Sequence, residues 1–237
     1  MRRPGVDLVR HPAGATDLVL LAHGGQEHSR ADPHLWRPAL LRMWPFAAVA
    51  RSAAPDAGVG FLRYRFRGWN DGGDAAADLR TVLDELPPVI SRVFLIGHSM
   101  GGRAVVAAGD HPRVAGVLAL APWLPAGEPL VAVRAPVTFV HGTDDTITDP
   151  AGTTAYAERL RAAGAAVRTY SLVGEGHAML RRPKDWDRLV ADFVRQTPTG
   201  GGTEQLPEVG AQVASAIGGI ALARLRLPVK ERFRVAR

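Results

Sequence analysis

Apolar residues gather along this chain in short, nearly unbroken runs, and between the runs they recur at intervals of three and four. The runs within 16–25 (TDLVLLAHGG), 58–66 (GVGFLRYRF), 92–97 (RVFLIG), 114–122 (VAGVLALAP), 135–142 (APVTFVHG) and 166–173 (AVRTYSLV) have the length of strands buried on both faces. Over 74–86 (DAAADLRTVLDEL), Leu79, Val82, Leu83 and Leu86 share one helical face, and Pro87-Pro88 ends the pattern. Further helices are predicted over 101–111, where small side chains permit close approach to a sheet, over 150–164 with a glycine stop, and over 184–196. Residues 34–54 read as helical, with Pro38 and Pro45 starting, kinking or breaking the segment.

Strands alternating with helices predict an α/β fold, doubly wound, with a mostly parallel sheet covered on both sides. In such a sheet the loops beyond the C-terminal strand ends share one edge, where open α/β sheets bind ligands. Four suspicious positions fall there. Gly25 follows LVLLAHG, Ser99 follows VFLIG, Asp145 follows VTFVHGT, and His177 follows YSLVGEG.

The composition removes several alternatives. The chain has 237 residues, 46% hydrophobic and 22% charged, which suits one large globular domain. It holds no cysteine, so disulfides, thiolate metal sites and a cysteine nucleophile are excluded. The formal charge is +6, but the basic residues are scattered through the body and gather only at the C-terminal end, which argues against nucleic acid as a partner. No HExxH or other histidine pair has metal-ligand spacing, and Gly24-Gly25 and Gly72-Gly73 fit no phosphate loop. Neither a metal nor any other cofactor is expected. The N-terminal segment lacks a signal-peptide core, and the longest uncharged stretch, 209–223, is too short to span a bilayer, so a cytoplasmic protein without a transmembrane segment is expected.

The chemistry centres on Gly97-His98-Ser99-Met100-Gly101, which fits the nucleophile-elbow pattern G-x-S-x-G between a strand and a small-residue helix. A serine on so sharp a turn crowds the backbone, so the positions two before and two after it must be small. The hydroxyl needs a base, itself oriented by an acid. HGTDDTITDP offers Asp144, Asp145 and Asp149 after a strand, of which Asp145 is chosen; GEGHAML offers His177, with Gly174 and Gly176 freeing its loop. His23 and His141 read as structural residues at strand ends, and His98 as a neighbour of the site at most.

On these residues the sequence resembles the α/β-hydrolase superfamily, in the manner of its cap-less esterases and dienelactone hydrolases. Asp145 in HGTDDTI matches the family's HGxxDxxV/I acid, His177 its GxGH base, and the elbow matches in full. The resemblance implies an eight-stranded, mostly parallel sheet flanked by helices, a catalytic domain over 1–196, and cleavage of small-molecule carboxylic esters through an acyl-Ser99 intermediate. Oxyanion donors are then expected at the Met100 N–H and in AHGGQE, at Gly25 or alternatively Gln26. Only 123–134 separates the sixth family strand from the next, so no cap domain is expected and the site should be open. Trp69 and Trp123 follow strands on the active edge and are candidates for substrate contact. A thioesterase or acyltransferase would use the same triad, and a non-catalytic binding protein the same fold. Residues 197–237 read as a flexible linker and a basic, weakly helical tail suited to self-association or surface docking.

Overall fold

Along the strand Asp17–Ala22 (β2), Leu18, Leu20 and Ala22 pack to one side and Val19 and Leu21 to the other, none more than 2% exposed. The computed structural model, which describes residues 3–33, 38–195 and 202–206, repeats this two-sided burial through the middle of its sheet. The other body strands are Gly5–Arg10 (β1), Gly58–Arg63 (β3), Arg92–His98 (β4), Val114–Leu120 (β5), Val137–Gly142 (β6) and Val167–Leu172 (β7). They lie in the order β1-β3-β2-β4-β5-β6-β7, with β1 antiparallel to β3 and every other pairing parallel.

The stretch beyond Gln196 is not linker alone. Gly202–Leu206 (β8) adds to the sheet parallel to β7, which corrects the reading of those residues as unstructured. The expected tail helix, 207–237, lies outside the described residues, as do 34–37 at the start of the first predicted helix.

Helices Asp74–Glu85 (α2), Met100–Ala107 (α3) and Pro150–Ala162 (α4) pack on one face, and Pro38–Ala53 (α1) and Pro183–Val194 (α5) on the other. Pro38 starts α1, and Pro45 sits inside it without ending it. The mostly parallel sheet flanked on both faces is the α/β-hydrolase fold. Residues 121–136, between β5 and β6, form no helix or strand, so this connection builds no cap domain.

The adjacent strands β2 and β4 feed helices on opposite faces, α1 on one and α3 on the other. Their outgoing loops therefore diverge at the C-terminal edge, the switch point at which such sheets bind ligands. Ser99 and Gly25 leave the sheet there.

Candidate active site

Ser99 joins β4 to α3 with φ 57° and ψ −121°, a left-handed backbone that a non-glycine residue adopts only when its surroundings impose it. The constraint is visible. A Cβ on Gly97 would strike the Gly101 carbonyl, and one on Gly101 would strike the carbonyl of Ala22, so neither position has room for a side chain. The Ser99 N–H donates to Leu120 O at 3.1 Å, and its carbonyl accepts from Arg103 N–H and Trp123 N–H, both at 3.1 Å. Strand, helix and following loop thus hold the turn together.

The three carboxylates of HGTDDTITDP separate by role. Asp149 caps α4, accepting from Ala151 N–H at 2.9 Å. Asp144 is exposed and pairs with Arg181. Asp145 alone turns inward, with its side chain fully buried. Its Oδ2 lies 2.8 Å from His177 Nδ1, 3.1 Å from His141 Nε2 and 2.9 Å from Thr148 Oγ1. Its Oδ1 accepts the N–H groups of Ile147 at 2.8 Å and Thr148 at 2.9 Å. Burial alone would push the carboxyl pKa up; the hydrogen bonds from His141, Thr148, His177 and Ile147 outweigh it and hold Asp145 ionised well below the usual carboxylate range.

His177 sits in a loop whose shape depends on Gly174 at φ 75° and Met179 at φ 58°. Glu175 anchors that loop from inside: its carboxylate, 1% exposed, accepts from Gly176 N–H, Arg181 N–H, Arg182 N–H and the Trp186 indole on α5. Burial draws the His177 pKa down, with Asp145 opposing and Arg42 and His141 reinforcing the shift. The ring is neutral at neutral pH, with Nδ1 toward Asp145 and Nε2 left for other work. Among the described residues no hydrogen bond joins Ser99 Oγ to His177. His98, the chain neighbour of Ser99, packs its ring 4.6 Å from that of His177, and its Nε2 lies 3.1 Å from the His177 carbonyl.

The Gly24-Gly25 loop runs directly against the elbow. A Cβ on Gly24 would come 3.2 Å from Ser99 Cβ, and one on Gly25 would enter the Met100 thioether. The Gly25 N–H has no protein acceptor among the described residues, whereas Gln26 N–H is engaged with Arg67 O at 3.1 Å. Met100 is the first residue of α3, so its N–H has no partner within the helix. The rings of Trp69 and Trp123 meet edge-on, centroids 6.5 Å apart, and the Arg103 guanidinium lies over both, 3.9 and 4.6 Å from their centroids. Arg103 is itself fixed by Glu128, Nε to Oε1 at 2.9 Å.

Four residues at the site escaped the sequence reading: His141 as a partner of Asp145, Thr148 between the two histidines, Glu175 beneath the loop, and Arg42 on α1. His141 and Glu175 stand beside recognised motif residues, yet nothing in a single sequence says that they fold inward. No group of three or more His, Asp or Glu residues suited to a metal ion occurs among the described residues, nor any helix long and apolar enough to cross a membrane.

Comparison with known proteins bears on the family and the fold. Residues 68–194 match the model of the dienelactone hydrolase family. The fold is shared with esterase PE8 (19% identity, 82% of this chain and 99% of that one, TM-score 0.62). It is shared with the Pyrococcus furiosus esterase Pf2001 (17% identity, 80% and 85%, TM-score 0.61). Est1E from Butyrivibrio proteoclasticus, solved with ferulic acid bound, also matches (12% identity, 81% and 93%, TM-score 0.58). No curated protein sequence matches significantly.

Proposed function

Because the chain belongs to the dienelactone hydrolase family, a branch of the α/β hydrolases, we propose that it hydrolyses small carboxylic esters with Ser99 as nucleophile, His177 as base and Asp145 as orienting acid. The observation that carries this reading is the strained elbow at Ser99 beside a neutral His177 whose Nδ1 lies 2.8 Å from a buried carboxylate. With Nδ1–H donated to Asp145, Nε2 keeps a lone pair. It takes the Ser99 proton as Oγ bonds to the ester carbonyl carbon. The carbonyl oxygen becomes an oxyanion, received by the N–H groups of Met100 and Gly25 and favoured by the positive end of α3. Gln26 is the weaker candidate, since its N–H already has an acceptor.

Collapse expels the alcohol, which takes its proton from His177 Nε2. Water then gives a proton to the same nitrogen as it attacks acyl-Ser99, and the acid leaves as Ser99 is reprotonated. Trp69 and Trp123, braced by Arg103, stand as the substrate wall beside Ser99. The lack of a cap over 121–136 supports short or accessible esters.

A fluorophosphonate probe tests the reading. An adduct on Ser99, mapped by mass spectrometry and lost in His177→Ala, is expected, and Asp145→Asn should lower kcat about 10⁴-fold. Folded wild-type protein that stays unlabelled would overturn it in favour of a binding role.

A further inference from the structure

His141, at the end of β6, reaches the same carboxylate as His177. Its Nε2 lies 3.1 Å from Asp145 Oδ2, the oxygen that His177 Nδ1 reaches at 2.8 Å. The ring is 5% exposed, and its other nitrogen, Nδ1, lies 2.8 Å from the hydroxyl of Thr153 on α4, itself 4% exposed.

These contacts fix the tautomer. A lone pair on Nε2 would face an anionic oxygen, so Nε2 carries the proton and donates it to Asp145. Nδ1 is then the acceptor of the Thr153 hydroxyl proton. Thr148 completes the cluster, its Oγ1 2.9 Å from Asp145 Oδ2, 3.2 Å from His141 Nε2, 3.1 Å from His177 Nδ1 and 3.3 Å from Ala121 O. With two backbone N–H groups on Oδ1, the carboxylate has more donors within reach than a carboxylate needs when it serves one histidine.

We propose that His141 is a positioning residue that shares Asp145 with His177 and holds the carboxylate in place. A carboxylate whose charge is already divided among other donors gives less to a newly formed imidazolium. The groups facing His177 divide accordingly. Asp145, from the β6–α4 loop, favours the imidazolium. The Arg42 cation from α1 and His141 from β6 oppose it, and the ring of His98 from β4 packs against the imidazole. Sharing therefore keeps His177 in its base form at lower pH.

The inference deepens the esterase reading and rests on it for its catalytic meaning, but its direct readout does not need turnover. Nitrogen-15 NMR of the histidine rings in the full chain reports the protonation of His177. The variants are His141→Phe, which fills the space without a donor, His141→Gln, which restores an N–H donor, and Thr153→Val, which leaves His141 in place but frees its tautomer. In His141→Phe, His177 should titrate at higher pH. Activity on p-nitrophenyl acetate just below the wild-type acid limb should fall roughly three- to tenfold further than at the plateau. His141→Gln should return toward wild type, and Thr153→Val should shift in the direction of His141→Phe by less. Should the Phe variant fail to fold, Thr153→Val carries the test alone. His177 titrating at its wild-type position in the folded variants would overturn the proposal. A shifted His177 with no fluorophosphonate adduct on Ser99 would instead retain the sharing and remove the esterase reading.

Discussion

At Ser99 the backbone is held at φ 57° by its neighbours rather than by its own preference. Such a conformation costs a non-glycine residue about 1–3 kcal/mol, whereas glycine adopts it freely, less the 0.5–1 kcal/mol or so that glycine loses in entropy on folding. Ser99 Oγ has no hydrogen bond to forfeit among the described residues. Ser99→Gly should therefore be inactive yet more stable than Ser99→Ala by about 1 kcal/mol, read as a higher urea midpoint. Equal midpoints would show that the turn stores no strain. The elbow was legible in the sequence because its cause is local: Gly97 and Gly101 are small since each faces a carbonyl a few residues or one strand away. Asp145 and His177 were legible because each follows a strand on the shared edge. His141 was not, since its role depends on Thr153 and Asp145 meeting it from α4 and the loop between, which only the folded chain arranges.

Among the elements, the buried strands were plain in the sequence, as unbroken apolar runs must lie in the sheet interior. The edge strand β1 was not, because Asp7 and Arg10 break GVDLVR and its only strand partner among the described residues is β3, where Arg63 pairs with Asp7. β8 was hidden for a related reason: GTEQL carries no hydrophobic signature, and its pairing comes from the open edge of β7. The His177 loop shows most clearly how an element depends on one concealed side chain. Glu175 Oε1 takes Gly176 N–H at 2.8 Å and Oε2 takes Arg182 N–H at 2.8 Å and the Trp186 indole at 3.1 Å, tying the loop to the first turn of α5. Glu175→Ala leaves these buried donors without an acceptor. At about 1–3 kcal/mol for each group so stranded, partly relieved by water, a loss near 3 kcal/mol in urea unfolding is expected. Amide exchange at Gly176 and Arg182 should accelerate with it, and turnover should drop as His177 loses its support. Unchanged exchange at those two amides would mean that the glycines, not Glu175, set the loop.

For the whole molecule, the sheet that carries the site also buries two of its histidines, and this ties stability to pH. Burial draws the pKa of His98 well below its ordinary value, reinforced by His177 and Arg42, and burial lowers that of His177 as well. In the unfolded chain both rings take up a proton near pH ~6.5; in the folded protein neither does until the pH is lower. Over that window the unfolded state binds more protons. The stabilisation is thus complete above pH ~6.5 and is lost as pH falls toward the folded values, with each ring contributing a slope of up to about 1.4 kcal/mol per pH unit. Asp145, held ionised by its hydrogen bonds, adds a separate loss only below pH ~4. His98→Gln keeps an N–H donor for the His177 carbonyl but cannot titrate, so it should remove one of the two histidine contributions. Urea midpoints measured from pH 7.5 down to 5 should then decline about half as steeply as in the wild type. A slope equal to that of the wild type would mean that His98 accepts a proton inside the folded protein, and that the elbow tolerates a cation beside His177.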